Sequence, residues 1–294
     1  NTYDSHFRPQ RVTYSVPGDI SQDVGYRYNG LGVLREIRDL SHPNLSDGSI
    51  LWGLVNVDDS GRVESEIFGN GLSSWTGYSA VDGTLRHRLV ENRDGFVENI
   101  RMLTDTFGNF RERQLRAGDA DGTVVLAGSY TLDLLDRLTE VKLNGVSTQS
   151  MMYATNGNLT NKSGIGDYLY TSKHHAATSV GNVSLQYDDN GNLTHKAGVQ
   201  VATWTSFNQP KTLTDSGGTS TFRYGASGNR VQHSLSSGES ITYAGSVIEY
   251  VRKAGAAAPR FRIFGPSGQI AQITGGGGRR GSGSAAHGAG RAPH

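Results

Sequence analysis

The fold class this sequence predicts is all-β: repeated hairpins laid side by side in a long, curved antiparallel sheet. Three observations carry it. Glycine takes 40 of the 294 positions, roughly twice ordinary usage, so turns are dense. A short motif with a turn position recurs along the chain, and the segments between copies alternate apolar and polar residues, as Val183, Leu185 and Tyr187 do against Ser184 and Gln186. Convincing helical periodicity is lacking. The best stretch, Gly32 to Leu40, is short and follows Tyr26-Arg27-Tyr28, which favours a strand.

The motif is read from Tyr187-Asp188-Asp189-Asn190-Gly191-Asn192-Leu193-Thr194, where glycine stands four residues after the tyrosine and an aliphatic residue six after it. Tyr28 gives Gly32 and Leu34, Val57 gives Gly61 and Val63, Tyr153 gives Gly157 and Leu159, and Phe264 gives Gly268 and Ile270. Looser copies substitute within a physical class: Thr104 gives Gly108 and Phe110, Leu132 gives Asp136 and Leu138, Trp204 gives Asn208 and Pro210, and Tyr224 gives Gly228 and Arg230. The fourth position in these copies is always Gly, Asp or Asn, the residues that enter the left-handed backbone region at least cost. Such a residue closes a three-residue hairpin loop, a type I turn followed by a bulge. Asp189-Asn190-Gly191 then forms the loop and Tyr187 faces Leu193 across the strands. A two-residue Asn-Gly turn would set Tyr187 against Thr194, so the bulged loop is the preferred register. Two long gaps hold further turns, at Gly69-Asn70-Gly71 and Asp82-Gly83, and at Lys173-His174-His175 and Gly181-Asn182. Units this small cannot bury a core alone, so each leans on its neighbours.

Length alone leaves the domain count open, because all-β folds of this size occur as single units. The repeats divide the chain into a segment spanning 1–274 and a Gly/Arg/Ser-rich tail, 275–294, with too little apolar surface to fold. Lys and Arg total 28 against 27 Asp and Glu, so no summed field draws in nucleic acid or anionic lipid. No apolar run approaches the length of a membrane span, and mean hydropathy is −0.46. Cysteine is absent, which removes disulfides, thiolate metal sites and cysteine nucleophiles. The chain begins Asn1-Thr2-Tyr3 without an apolar leader, and so reads as the interior of a longer polypeptide whose export signal lies elsewhere.

At these residues the sequence resembles the bacterial Rhs family, the YD-repeat proteins, whose eukaryotic relatives include the teneurins. The matching stretches are Tyr187 to Thr194, Trp204-Thr205-Ser206-Phe207-Asn208-Gln209-Pro210, Phe68-Gly69-Asn70-Gly71-Leu72 and Tyr3-Asp4, and coverage runs from Tyr3 to about Ile273. The resemblance implies a sheet that spirals into a hollow shell, a segment of a much larger secreted or cell-surface protein. In bacterial members such shells enclose a toxic C-terminal polypeptide. The expected partners are therefore the rest of the parent shell and its enclosed toxin, with surface glycans as the alternative. After Phe261-Arg262-Ile263-Phe264-Gly265-Pro266 the chain departs from the family, which continues to a Tyr-Leu-x-x-Asp-His-Leu-Gly-Ser motif and a processing site. Here the tail begins instead, as a change of reading frame or a truncation would produce.

Candidate reactive groups weigh against bland readings. His174-His175, with His195 and Asp188, has metal-binding residue types, but neighbours on a strand point to opposite faces. A Ser-His-Asp set can be assembled on paper, yet no Gly-x-Ser-x-Gly elbow follows a strand and opens a helix. Gly225-Ala226-Ser227-Gly228 lacks the lysine of a phosphate loop. Asn158, Asn182 and Asn192 begin glycosylation sequons, two of them products of the repeat itself. Trp52, Trp75 and Trp204 could stack on sugar rings, but such residues more often pack in a sheet core. The sequence therefore predicts a non-enzymatic wall segment without cofactor or metal, its defining residues being the turn positions Gly32, Gly61, Gly108, Asp136, Gly157, Gly191, Asn208, Gly228 and Gly268.

Overall fold

Hairpins that each pair only with their neighbours in sequence produce a meander, and a meander is what the chain forms. The computed structural model describes residues 1–16, 21–41, 48–119 and 121–275. Among them lie twenty-seven strands and no helix. They form two antiparallel sheets, nineteen strands from Thr2 to Gln200 and eight from Ala202 to Thr274, neither closed into a barrel. The division at Val201 does not interrupt hydrogen bonding. The Val201 N–H donates to the Thr194 carbonyl at 2.8 Å and the Val201 carbonyl accepts the Thr214 N–H at 2.8 Å. Gly32 to Leu40 contains a strand, Leu34–Asp39. The tail expected beyond Gly275 lies outside the described residues.

The bulged loop appears in the register the motif requires. Tyr187 faces Leu193, with the ladder slipping between Gln186 and Tyr187. Asp188 N–H donates to Asn192 O at 2.9 Å, Gly191 N–H donates to Asp188 O at 3.1 Å, and Gly191 has φ 87°. The same cross-strand pairs form at Tyr28 and Leu34, Val57 and Val63, Thr104 and Phe110, Leu132 and Leu138, Tyr153 and Leu159, Trp204 and Pro210, and Tyr224 and Arg230. Positive φ accompanies each of them, at Gly32, Gly61, Gly108, Asp136, Gly157, Asn208 and Gly228.

Two expectations need correction. Phe264 faces Gln269 and not Ile270, because Gly265 pairs with Gly268 across a two-residue turn, Pro266-Ser267. Proline presets the first central position of such a turn, so Gly268 flanks the loop and does not close it, while keeping a positive φ of 116°. Conversely, Tyr3 opens a further copy. Asp4 N–H donates to Arg8 O at 3.0 Å and Phe7 N–H to Asp4 O at 3.1 Å, with Phe7 at φ 60°. The fourth position is therefore not confined to Gly, Asp and Asn. The gaps contain turns as expected, with positive φ at Gly71, Gly83 and Gly181 and a bridge between Lys173 and Ala176.

Because consecutive strands run in opposite directions, their connections alternate between the two edges of the sheet. Most motif loops share one edge. The other carries tighter turns, of which Asn144-Gly145 and Ala197-Gly198 have both residues at positive φ, as a type I′ turn demands.

Contacts divide the chain into two compact units. The first comprises Asn1–Gly77, Arg88–Glu98 and the residues from Glu239 onward. Its core joins Val24, Ile37, Trp52 and Leu54 to Phe261, Ile263, Ile270 and Ala271. Early strands thus pack on the last two, a closure that the repeat pattern does not announce. In the second unit, Tyr78–His87 and Asn99–Gly238, opposite residues share a face. Ile100, Leu115 and Leu126 form an apolar row, while Thr131, Glu140 and Ser150 form a polar row on the other side.

Replacing Gly191 by Val forces a β-branched residue to positive φ and is expected to destabilise by about 1 to 3 kcal/mol, with Gly191→Asn milder. Equal denaturant midpoints for the two variants would show the loop register to be wrong. Ala197, at φ 52°, gives the opposite sign. Ala197→Asn is expected to stabilise by about 0.5 to 1 kcal/mol in the same measurement.

Candidate functional site

The recurrent chemistry of this chain lies in its motif loops, and it begins with the residue after the aromatic position. Asp133 Oδ1 accepts the N–H groups of Leu135 at 2.9 Å and Arg137 at 3.0 Å. Its Oδ2 takes Arg137 Nε at 2.7 Å and a second guanidinium nitrogen at 2.6 Å. Asp4 with Arg8 and Asp58 with Arg62 repeat the arrangement. Asp105 holds Asn109 and Arg111, and Asp188 holds Asn192. Asn29 caps Leu31 and Val33 without the charge, both at 3.0 Å. A short Asx side chain bonding the backbone two residues on is the natural stabiliser of such a turn.

The arginine so held reaches the next hairpin. Arg137 lies over the Tyr153 ring at 4.6 Å and Arg8 over the Tyr28 ring at 4.4 Å. Each ring opens the following copy of the motif. A second link uses the aromatic side chain's polar end. Tyr153 OH donates to Leu138 O at 2.8 Å, Tyr170 OH to Leu159 O at 3.0 Å, Trp204 Nε1–H to Leu193 O at 2.8 Å, and Tyr224 OH to Pro210 O at 2.7 Å. All four acceptors are the sixth-position residues of the preceding copy. The ladder between the strands of Leu138 and Tyr153 ends at Glu140 and Ser150, so the hydroxyl supplies the donor that the backbone does not. Adjacent loops also touch directly. Asn109 Nδ2 donates to Asp136 Oδ1 at 2.8 Å, and Asn192 Nδ2 to Asn208 Oδ1 at 2.9 Å.

The residues of this loop chemistry stand in the sequence at a fixed spacing. Asp or Asn follows the aromatic position at Asp4, Asn29, Asp58, Asp105, Asp133 and Asp188, and Arg stands four later at Arg8, Arg62 and Arg137. That spacing was the available signal. The tyrosine tethers had none, because their acceptors are backbone carbonyls.

These contacts set the titration of the loops. The Arg8 guanidinium holds Asp4 down at about 2. Hydrogen bonds from Thr84, N–H first and hydroxyl second, hold Asp82 down at about 2. Arg62 lowers Asp58, Arg137 lowers Asp133 and the Asn192 amide lowers Asp188. At Asp105 burial opposes ionisation, but Asn109 and Arg111 outweigh it.

The histidines take separate roles. His175 Nδ1 bonds Asn158 Oδ1 at 2.7 Å, and Asn158 Nδ2 donates to the His174 carbonyl. His195 Nδ1 meets Thr194 Oγ1 at 3.0 Å. Trp52 is fully buried, and its Nε1–H donates to Glu66 Oε2 at 2.6 Å. Glu66 also accepts Ser74 Oγ at 3.2 Å and, from far along the chain, Ser267 Oγ at 2.9 Å. Trp75 keeps 39% of its surface exposed, in a groove with Val55, Ser73, Leu89 and Glu91. The sequon residues Asn158 and Asn192 spend their side-chain amides on hydrogen bonds.

No family model matches the sequence, and no curated protein sequence matches it. Solved structures do match in fold. A TcdB2-TccC3-TEV crystal structure aligns over 93% of this chain and 15% of its own, at 14% identity and a TM-score of 0.60. A Photorhabdus luminescens Tc holotoxin pore aligns over 86% of this chain and 14% of its own, at 14% identity and a TM-score of 0.58. A TcdB2-TccC3-Cdc42 structure covers 89% of this chain at a TM-score of 0.53. This chain therefore shares its fold with a stretch of these toxin chains and spans about one-seventh of their length.

Carboxylates depressed in the folded state contribute stability above the unfolded value and lose it as pH falls through the folded one. From the ordinary 3.8 down to about 2, the denaturant midpoint is expected to drop, and Asp133→Asn to flatten that drop. A midpoint unchanged between pH 5 and pH 2 would refute the clamp. A double-mutant cycle of Arg137→Ala with Tyr153→Leu is expected to show coupling of about 0.5 to 1 kcal/mol between successive hairpins. Simple additivity would deny the link.

Proposed function

We propose that the chain is a non-enzymatic wall segment of an Rhs-like shell that encloses a polypeptide passenger, a toxin in the bacterial case, within a larger exported protein. The observation that carries this reading is the tether between hairpins: an aromatic side chain satisfies a backbone carbonyl of the motif copy before it. A wall needs continuity more than any one reactive group, and repeated links between neighbours supply it. The loop carboxylates are engaged by arginines and backbone amides, and the paired histidines by a neighbouring asparagine. The likeness to Tc toxin chains supports the same reading. A second reading, a surface adhesion module, rests on the Trp75 groove, where an exposed indole lies near Ser73 and Glu91.

The test places this segment in its full-length parent and measures protease resistance of the passenger. Removing the hairpin Tyr187 to Thr194 is expected to abolish protection, while His174→Ala and His175→Ala leave it intact. Loss of protection from either histidine change, with circular dichroism unaltered, would overturn the wall reading in favour of a chemical site. Saturable glycan-array binding that disappears in Trp75→Ala would instead support adhesion.

A further inference from the structure

Asparagine followed by glycine is a chemically labile pair, because a glycine nitrogen with no Cβ beside it closes readily on the asparagine carboxamide. The sequence holds five such pairs, beginning at Asn29, Asn70, Asn144, Asn156 and Asn190. All five glycines are exposed, so access does not divide them. What divides them is the glycine N–H, which must lose its proton before the nitrogen can attack. In three motif loops that N–H closes the turn. Gly71 donates to Phe68 O at 3.0 Å, Gly157 to Ala154 O at 3.0 Å and Gly191 to Asp188 O at 3.1 Å. A nitrogen held in this way reacts only after its loop has opened, and opening costs the bond and the register it fixes.

Gly30 and Gly145 are placed differently. Gly30 is the second residue of its motif loop, and Gly145 the second residue of the tight turn between Leu143 and Val146. Neither N–H has a backbone acceptor among the described residues. Their asparagines are also held as electrophiles. Asn29 Oδ1 accepts the Leu31 and Val33 amides at 3.0 Å, and Asn144 Oδ1 accepts the Ala127 amide at 2.8 Å. Donors so placed draw charge from the carboxamide carbon and stabilise the oxygen anion that forms when a nitrogen adds to it. Leu72 and Asn158 do the same for Asn70 and Asn156 at 3.2 and 3.1 Å, so the glycine N–H is what separates the two sets.

We infer that Asn29 and Asn144 are sites of spontaneous succinimide formation, and that the fold shields the other three pairs. The glycine nitrogen gives its proton to hydroxide and bonds to asparagine Cγ. The bond from Cγ to the side-chain nitrogen breaks, and that nitrogen takes a proton from water and leaves as ammonia, which restores the hydroxide. Water then opens the ring at either carbonyl. One product is aspartate; the other is isoaspartate, whose main chain runs through the former side chain and is one atom longer. At Asn29 the oxygen that caps Leu31 and Val33 becomes part of that longer main chain. At Asn144 the Ala127 amide loses its side-chain acceptor. Each event unlatches one hairpin end, and neither depends on the wall reading.

The full chain, shown by circular dichroism to be folded, is incubated at mildly alkaline pH and sampled over time. Peptide mass spectrometry reads the exchange of amide for carboxylate at each asparagine, and an isoaspartyl methyltransferase with a labelled methyl donor reports the rearranged product. Conversion at Asn29 and Asn144 is expected to run about tenfold faster than at Asn70, Asn156 and Asn190, whose loops must first break a backbone hydrogen bond. In concentrated urea the five pairs are expected to convert at similar rates. Asn144→Gln is expected to remove conversion at that position and leave Asn29 unchanged. Loop asparagines that keep pace with Asn29 or Asn144 in the folded chain would overturn the inference. So would a rate ratio that survives in urea, since the fold would then not be its source.

Discussion

A strand that slips by one residue turns every side chain to the wrong face, and this chain guards against slippage with one left-handed residue per motif loop. That residue closes the bulge, the bulge fixes which pair meets across the strands, and the pair places the aromatic side chain where it can reach back to the previous hairpin. The aspartate at the loop's entrance holds the same geometry from the other side through its two backbone amides. Remove one left-handed residue and the tether that its loop aligns is lost, because each depends on the register set in its own loop.

The hierarchy explains what the sequence discloses and what it hides. Loop register was legible because positive φ limits residue choice so strongly that Gly191, Asp136 and Asn208 all betray the same position. It misled at Phe264, where Pro266 imposes a shorter turn, and at Phe7, where clamping by Asp4 and Arg8 accompanies a residue type that rarely enters that region. The aspartate and arginine of the clamp recur at fixed spacing and could have been read. The carbonyl partners of Tyr153 and Tyr224 could not, since a backbone acceptor leaves no trace in residue identity. The packing of Trp52 and Ile37 on Phe261 and Ile263 was equally invisible, because a local repeat says nothing about which distant copies meet.

The same division between local and distant contacts governs how the sheet holds together. Links from hairpin to hairpin make a surface whose integrity is shared by many small interactions. Large apolar side chains also stand exposed at the tips of several loops, Leu31, Phe107, Leu134 and Leu135 among them.

The Glu66 carboxylate, bonded to Ser267 across 201 positions of sequence, carries a consequence for synthesis. Hairpins that pair only with their neighbours can form in order as the ribosome releases them, since each closes a short loop. The first unit's core cannot. Trp52 and Ile37 must wait, uncovered, until Phe261 and Ile263 emerge, so the earliest strands are the last to be protected. For that interval the strands that carry Trp52 and Ile37 keep an uncovered apolar face, open to chaperones and to aggregation while the hairpins after them are already paired.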